Sequence, residues 1–255
     1  MRNHYLRASG VPSSGGGGGS FITDDLTFHI DAGNTSSYSG SGTTVNSLVG
    51  SITNSGFNSN VTYSSDDGGG WVFSNSPSTG SGIEFPNGSY FDFGNESFTI
   101  EMWFTYSGSS NRFLAGFTGS SNEYVPYFNG SGLFIHIGNN LPRPDMESGA
   151  SFTYNDWNHY VLSVDKESHA ANTTVVLYIN GSTSYDAPND GSKTYFNFQP
   201  TMSFTSSQKF YIGGNSTWNT FPHQGKISIV RLYKGKALTS SEVATNYSAE
   251  SSRYT

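Results

Sequence analysis

Cysteine is absent from this sequence of 255 residues. The fold therefore uses neither disulfide bonds nor thiolate metal sites. Secreted domains can also lack disulfides, so the missing cysteine leaves the compartment of the protein open.

Basic residues are scarce. Lys and Arg together number 12, against 19 Asp and Glu, and the net charge is -7. The few cations are spread along the chain, whereas binding to a phosphate backbone needs a basic patch. We therefore expect no nucleic-acid partner, and a mildly acidic surface that favours solubility.

Long apolar runs are also missing. Nowhere do 18 apolar residues follow one another, and the first 20 residues contain no apolar run of signal-peptide length. We expect neither membrane insertion nor classical export from this pattern.

Aromatic residues and glycine are abundant instead. The chain has 19 Phe, 16 Tyr and 31 Gly, although its hydrophobic content is only 34%. Short alternating segments separated by Gly-rich turns predict an all-β protein, a two-sheet antiparallel jelly-roll sandwich with one short C-terminal helix. We divide the chain into a flexible N-terminal arm, residues 1–20, and one sandwich domain, residues 21–255.

The clearest strand covers residues 98–106, which alternate between two faces. One face should belong to the core and consists of Phe98, Ile100, Met102, Phe104 and Tyr106. Two Asn-Gly pairs predict tight hairpin turns, Asn87-Gly88 within a hairpin over residues 83–93 and Asn180-Gly181 after a strand over residues 174–180.

The stretch from Gly225 to Tyr247 combines a strand and a helix start. Its first half is apolar on both faces, which is typical of an interior strand. Thr239 and Glu242 have the spacing of a capping box, and Leu238 and Val243 that of a hydrophobic staple. We therefore predict a short helix locked onto the preceding strand.

This stretch resembles the C-terminal signature of laminin-G-like, concanavalin-A-like sandwich domains, which has Arg-x-Tyr at a strand end, then Ala-Leu-Thr, Glu-Val and Asn-Tyr. The segments WNHYVLSVD and LYING are similar to two further motifs of the family. The resemblance extends over roughly residues 25–250. Within the family, the sequence resembles more specifically the versions found in bacteriophage structural proteins.

The resemblance implies a non-enzymatic structural protein of a phage virion: a capsid decoration, head fibre or tail appendage with a lectin-like sandwich for protein or glycan adhesion. Its partners would be other virion proteins, host-surface glycans and further copies in a large assembly. The alternative is a carbohydrate-binding module of a secreted bacterial protein, with an extracellular location. A glycan-processing enzyme with an unrecognised site is a third interpretation.

No catalytic pattern supports that third interpretation. Glycosidases need two carboxylates at a fixed separation, and the Glu-x-Asp-x-x-Glu motif of the common glucanases is absent. Glu101 lies mid-strand, but its neighbours on the same face, Thr99 and Trp103, are not acids. Six scattered histidines define no Ser-His-Asp set. We therefore expect no enzymatic activity.

Two groups of loop aromatics with adjacent amides are candidate sugar-binding residues. The first group, before the last strand, is Trp218, Asn219, Phe221 and His223. The second group is Tyr124, Tyr127 and Asn129. Aromatics in loops also cover sandwich ends or pack on neighbouring subunits, so a structural role for both groups stays open.

Calcium is the metal that the resemblance implies, although no cofactor is required by any motif. Asp31 with Asn34 is the candidate pair of oxygen ligands at a sandwich rim. The competing interpretation is an Asx turn, because Asp and Asn bond their own backbone at such positions. Arg231 stands on an otherwise apolar strand face, and there we expect it to pair with a carboxylate or carbonyl groups.

The N-terminal arm begins with a short peptide of basic, aromatic and apolar side chains, and a run of five glycines follows as a flexible tether. Its side chains with binding chemistry are Arg2, Tyr5, Leu6 and Arg7. One interpretation is a flexible tail or a cloning remnant. The other is a docking peptide that orders on a partner in the virion.

Overall fold

A computed structural model describes residues 20–74, 82–94, 96–108, 112–118, 124–129, 132–137, 152–166, 174–187, 209–214 and 222–255. These residues form fifteen strands and one α-helix. The strands are β1 Leu26–Asp31, β2 Gly56–Phe57, β3 Val61–Ser64, β4 Gly70–Phe73, β5 Ile83–Phe85, β6 Phe98–Thr105, β7 Arg112–Phe113, β8 Ala115–Thr118, β9 Tyr124–Asn129, β10 Gly132–Ile137, β11 Trp157–Asp165, β12 Thr174–Ile179, β13 Ser182–Ala187, β14 Lys209–Ile212 and β15 Gly225–Lys234. The helix α1 is Ser240–Glu250, and a 3-10 turn over Ser251–Tyr254 follows it.

The strands make two antiparallel sheets. The large sheet has eight strands in the order β13-β12-β11-β6-β15-β4-β3, with β1 added alongside β15. The small sheet has seven strands in the order β10-β9-β8-β14-β5-β2, with β7 added alongside β9. The predicted fold class, a mostly β two-sheet sandwich with one short C-terminal helix, is confirmed.

β15 lies in the interior of the large sheet, as its two apolar faces predict. One of its edges pairs with β6, and its other edge pairs first with β4 and then with β1. Ile227, Ile229, Val230 and Leu232 are all fully buried. β15 therefore connects both ends of the chain to the middle of the sheet.

The main core fills the space between the two sheets. Phe28 from the large sheet packs edge-on against Phe85 and Phe210 of the small sheet, with ring centroids 4.9 Å and 5.8 Å apart. All five residues predicted on the core face of residues 98–106 have no exposed surface. Large aromatic side chains thus supply much of the buried apolar area in this core.

The helix covers the outer face of the large sheet. The Glu242 N–H donates to Thr239 Oγ1 at 3.3 Å, and the Thr239 N–H donates to Glu242 Oε2 at 2.9 Å, so the predicted capping box is confirmed. Leu238 and Val243 lie together in one buried cluster, as the staple predicts. Among the described helices, none is long and apolar enough to cross a membrane.

The predicted hairpin over residues 83–93 is wrong, whereas the one at Asn180-Gly181 is confirmed. Asn180 and Gly181 have φ of 52° and 75°, as a two-residue hairpin turn requires, and β12 pairs with β13 across them. Neither Asn87 nor Gly88 has a positive φ. Pro86 precedes that pair and has no N–H to close the hairpin ladder. Between β5 and β6 the described residues form no further strand, and Phe91 and Phe93 pack into the core there.

Candidate functional site

A four-residue turn at one end of the sandwich is exposed along its whole length. Thr153, Tyr154, Asn155 and Asp156 connect the buried Phe152 to the start of β11. Tyr154 is 42% exposed and is the one large hydrophobic side chain with that much exposure among the described residues. The turn thus presents an aromatic ring, an amide and a carboxylate side by side to solvent.

A buried asparagine holds this turn in shape. The Asn158 side-chain amide donates to the carbonyl oxygens of Thr153 and Asp156 at 2.9 Å and 2.8 Å, and its oxygen accepts from the Thr153 N–H at 2.9 Å. Asn158 has no exposed surface. Asn155 takes a left-handed conformation with φ of 61°, and its N–H donates to the Tyr106 carbonyl at 2.9 Å. The turn is therefore pre-organised by hydrogen bonds rather than free to move.

An aromatic cluster supports Tyr154 from below. Its ring centroid lies 4.9 Å from that of Phe152 and 5.6 Å from that of Tyr106. Tyr106 in turn stacks on the His223 ring at 6.1 Å with an interplanar angle of 29°. The cluster fixes the partly exposed Tyr154 ring on the rim of the core.

His223 is the predicted binding residue that the structure brings to this end of the sandwich. It is fully buried, and its Nε2 lies 2.8 Å from the Thr105 carbonyl oxygen. His223 has no exposed surface, and its part in ligand binding stays a prediction. The other members of its predicted group, Trp218, Asn219 and Phe221, lie outside the described residues.

The second predicted group lies on β9, of which the backbone register is described. Tyr124 pairs with Ile137 of β10 and with Phe117 of β8. Asn129 pairs with Gly132 at the other end of β9, and Tyr127 lies between them. The three residues therefore share one strand of the small sheet, and their role in binding stays a prediction. The predicted arm residues Arg2, Tyr5, Leu6 and Arg7 lie outside the described residues.

Asp31 and Asn34, the predicted calcium pair, already have partners. Arg253 donates to both Asp31 carboxylate oxygens, at 2.7 Å and 2.9 Å. Asn34 accepts from the Ser36 N–H at 2.9 Å, which is the Asx geometry of the competing interpretation. Across the described part of the chain, no three His, Asp or Glu side chains group as a metal site. Calcium binding stays a prediction that these contacts do not support.

The mid-strand carboxylate Glu101 is enclosed beneath the helix. Its oxygens accept hydrogen bonds from Tyr233 and from Asn246 and contact His159 Nε2 at 2.7 Å. Burial would raise the pKa of Glu101, but Arg231 and the His159 hydrogen bond outweigh it and lower the pKa to about 2. Glu101 is therefore a buried, charged group that holds the helix against the sheet.

Arg231 pairs with carboxylates, as its position on an apolar strand face predicts. Its guanidinium bonds Glu250, lies 3.5 Å from Glu101, and has the Phe21 ring centroid 3.9 Å from its Cζ. Burial alone would lower its pKa, but Glu250 and Glu101 raise it. Arg231 is closed off from solvent at every side and serves the fold.

Sequence reasoning missed the 153–156 turn. The signal available was a Thr-Tyr-Asn-Asp run directly before a strong strand, which is typical of an exposed turn with an aromatic in it. The sequence gave no signal for the buried role of Asn158, because an Asn within a strand pattern does not indicate which groups its side chain will hydrogen-bond.

Together, the two antiparallel sheets define a β-sandwich that presents the exposed turn at one end. The chain belongs to the concanavalin A-like lectin/glucanases superfamily, because the Laminin_G_3 family model matches residues 77–244, more than half of its length. A search of curated protein sequences finds no match.

Solved structures from different organisms share this fold. Domain 4 of an extracellular arabinanase from Geobacillus stearothermophilus, solved with arabinotriose, is 22% identical with a TM-score of 0.62, over 88% of this chain and 98% of that domain. The binding domain of Paraclostridial Mosquitocidal Protein 1 is 14% identical with a TM-score of 0.64, over 88% of this chain and 52% of that one. Trypanosoma rangeli sialidase, solved with sialic acid, is 16% identical with a TM-score of 0.63, over 93% of this chain. This chain spans only 35% of the sialidase. At these identities the likeness is one of fold.

Proposed function

We propose that this chain is a non-enzymatic glycan-binding module and that the 153–156 turn is its ligand contact. The observation that carries the proposal is the exposed Tyr154 ring on a turn that the buried Asn158 holds by hydrogen bonds. An aromatic face covers the apolar side of a sugar ring, and the adjacent Asn155 and Asp156 supply hydrogen-bond donors and acceptors for hydroxyl groups. Because the turn is held before binding, little ordering entropy opposes the contact.

The structural neighbours support a sugar as the ligand. One is an arabinanase domain solved with arabinotriose, and another is the binding domain of a toxin. Both match this chain over most of its length with the same sandwich. A glycan is therefore the ligand class that fits both the turn chemistry and the family.

The absence of turnover is part of the proposal and has its own support. Glu101, the mid-strand acid of the central strand β6, is enclosed by Arg231, His159 and Asn246 and has no exposed surface. A glycosidase needs two carboxylates that reach the scissile bond from opposite sides. Glu101 in this setting reaches no substrate.

A place in a phage particle is the finer form of the same proposal. The Gly225–Tyr247 stretch resembles the versions of this domain in phage structural proteins, and the sequence of residues 1–20 suits a docking peptide on a tether. The module would then be a capsid decoration, head fibre or tail appendage that adheres to host glycans. A carbohydrate-binding module of a secreted bacterial protein is the alternative, and it would use the same turn.

A glycan array tests the binding proposal directly. We expect the intact chain to bind a restricted set of glycans, and Tyr154→Ala to lower that binding by about tenfold or more, since an aromatic contact contributes on the order of 1 kcal/mol beyond area burial. Lys209→Met, in an exposed ion pair on the small sheet, is the matched control and should bind as the wild type does. If Tyr154→Ala binds glycans as strongly as the wild type, the binding site lies elsewhere on the protein. If the wild type binds no glycan on the array, the proposed function is wrong.

Two further assays separate the finer interpretations. Sugar release from the bound glycan, followed by chromatography over hours, would contradict the non-enzymatic role. Recovery of the chain with purified virions, lost on deletion of residues 1–20, supports the phage particle. Recovery only from culture medium, free of particles, supports the secreted module.

A further inference from the structure

A second aromatic side chain lies at the same end of the sandwich, on the outer face of the large sheet. Trp157 opens β11, directly after the exposed turn, and is partly exposed. The Asp156 carboxylate accepts from the Trp157 backbone N–H at 2.8 Å, which fixes the turn to the strand. Trp157 lies three positions after Tyr154 in the chain, so their Cα atoms lie at most about 10 Å apart.

The Trp157 ring is held in place from behind. Tyr254 lies against it with ring centroids 4.6 Å apart, and Trp103 stacks on the far side of this pair, 4.4 Å from Tyr254. Gly70 lies beneath the edge of the indole, where a Cβ atom would come within 3.3 Å of Trp157 Cη2. The indole is thus the outermost member of a rigid aromatic stack.

Charged groups surround the indole edge. The Trp157 indole N–H donates to Asp67 Oδ2 at 3.1 Å, and Lys226 Nζ lies 3.4 Å from the same oxygen. The Trp157 hydrogen bond lowers the pKa of Asp67 most, and Lys226 lowers it further against the opposing effect of burial. The Asp67 side chain is 44% exposed and that of Lys226 is 26% exposed, so both groups can also bond a ligand.

The backbone around Asp67 is specialised. Asp67 has φ of 53°, a left-handed conformation that non-glycine residues adopt rarely. Gly68 and Gly69 follow it with φ of 74° and 102°. This turn points the carboxylate at the indole N–H and holds it there, which leaves its other oxygen for a hydroxyl group.

We infer that Trp157, Asp67 and Lys226 form a second sugar subsite, so that the ligand is an oligosaccharide that crosses the rim from Tyr154 to Trp157. The inference rests on the proposed glycan binding and specifies the length of the ligand. Tyr154 lies at the open end of the core, Trp157 on the outer face of the large sheet, and the exposed Asn155 and Asp156 between them. A single sugar reaches one ring, whereas a longer chain reaches both. Affinity should therefore increase with chain length.

The test is a length ladder for binding. An array carries arabino-, cello- and sialylated oligosaccharides of increasing length. Binding to each is measured for the wild type and for the variants Tyr154→Ala, Trp157→Phe and Asp67→Asn, with Lys209→Met as the matched control. For the bound series we expect the wild type to gain about tenfold in affinity between the shortest and the longest members. Trp157→Phe keeps a ring on Tyr254 but loses the indole N–H, and Asp67→Asn removes the charge.

Both changes should reduce that gain to a small factor and leave the shortest bound glycan unaffected. Tyr154→Ala should weaken every length alike. The second subsite is overturned if Trp157→Phe and Asp67→Asn keep the full length dependence of the wild type, or if the wild type shows none. A ladder on which the wild type binds no member overturns the glycan-binding function itself, which distinguishes the two failures.

Discussion

Arg231 and Glu250 form an ion pair that ties the central strand of the large sheet to the last residue of the helix. The Arg231 side chain is 1% exposed and that of Glu250 is 12% exposed. Glu250 Oε2 also accepts from the Trp103 indole N–H at 2.9 Å. One carboxylate thus bonds both a buried guanidinium and a buried indole, so the C-terminal helix is part of the fold rather than an appendage.

Glu250→Gln should destabilise the protein strongly. It leaves the buried Arg231 guanidinium with an incomplete counter-charge, and breaking such a pair costs about 3 kcal/mol. Urea unfolding followed by tryptophan fluorescence measures the loss. Lys209→Met breaks an exposed pair with Glu84 and should cost less than about 1 kcal/mol. Equal effects of the two changes would contradict the structural role of Arg231.

The capping box predicts a smaller, separate effect. Thr239→Ala removes the side chain that accepts from the Glu242 N–H, and N-cap losses cost about 1 kcal/mol. Thr245→Ala is the matched control, because Thr245 lies exposed inside the helix and bonds only the Ser241 carbonyl. Chemical denaturation should rank Thr239→Ala below Thr245→Ala in stability. The reverse ranking would mean that the helix start does not depend on the cap.

Glu101 makes the stability depend on pH in the acid range. Its pKa is lowered from 4.5 to about 2 in the folded protein, because Arg231 and His159 outweigh the effect of burial. A lowered carboxyl pKa adds stability that is fully present above pH 4.5 and is lost as the pH falls towards 2. Unfolding free energies measured at intervals across this window should decrease towards acid. Glu101→Gln should flatten that slope while lowering stability at neutral pH, and an unchanged slope would contradict the assignment.

The stability of the protein should depend on whether an N-terminal truncation stops before residue 21 or removes Phe21 and Ile22. Deleting residues 1–20 keeps Phe21, whose ring covers Arg231, and Ile22, whose N–H donates to Asn246 Oδ1 at 2.8 Å and whose carbonyl accepts from Tyr233 Oη at 3.1 Å. We expect that deletion to leave the melting temperature unchanged. Deleting residues 1–22 removes all these contacts and should cost roughly 2 kcal/mol. If both truncations melt alike, Phe21 and Ile22 contribute nothing to the fold.

Much of the fold was predictable because it depends on local patterns. The alternation in residues 98–106 identified the core face, and the capping box and staple located the helix start. The Asn180-Gly181 turn was also correctly predicted. The same dipeptide failed at Asn87-Gly88, because a preceding proline removes a ladder hydrogen bond. Local rules hold where the neighbouring residues permit them.

The other face of β6 shows why the rest was not predictable. Thr99, Glu101 and Trp103 alternate with the core residues and resemble a solvent-facing set, yet all three are buried beneath the helix. Their partners lie far along the chain: Asn246 is 145 residues after Glu101, and Glu250 is 147 residues after Trp103. The candidate site had the same difficulty, because Tyr154 is exposed only through the way Asn158 folds the preceding turn. Such long-range and buried polar contacts leave no periodic mark in the sequence.

The central claim is that the 153–156 turn binds a glycan, and mapping that contact by NMR tests it most directly. The glycan bound most tightly on the array is titrated into the 15N-labelled intact chain, and amide shifts are followed. The account predicts saturable shifts concentrated at residues 153–157 and their neighbours at Asp67 and Lys226, which Tyr154→Ala abolishes. Shifts confined to the outer face of the small sheet, around Glu84 and Tyr211, would contradict it.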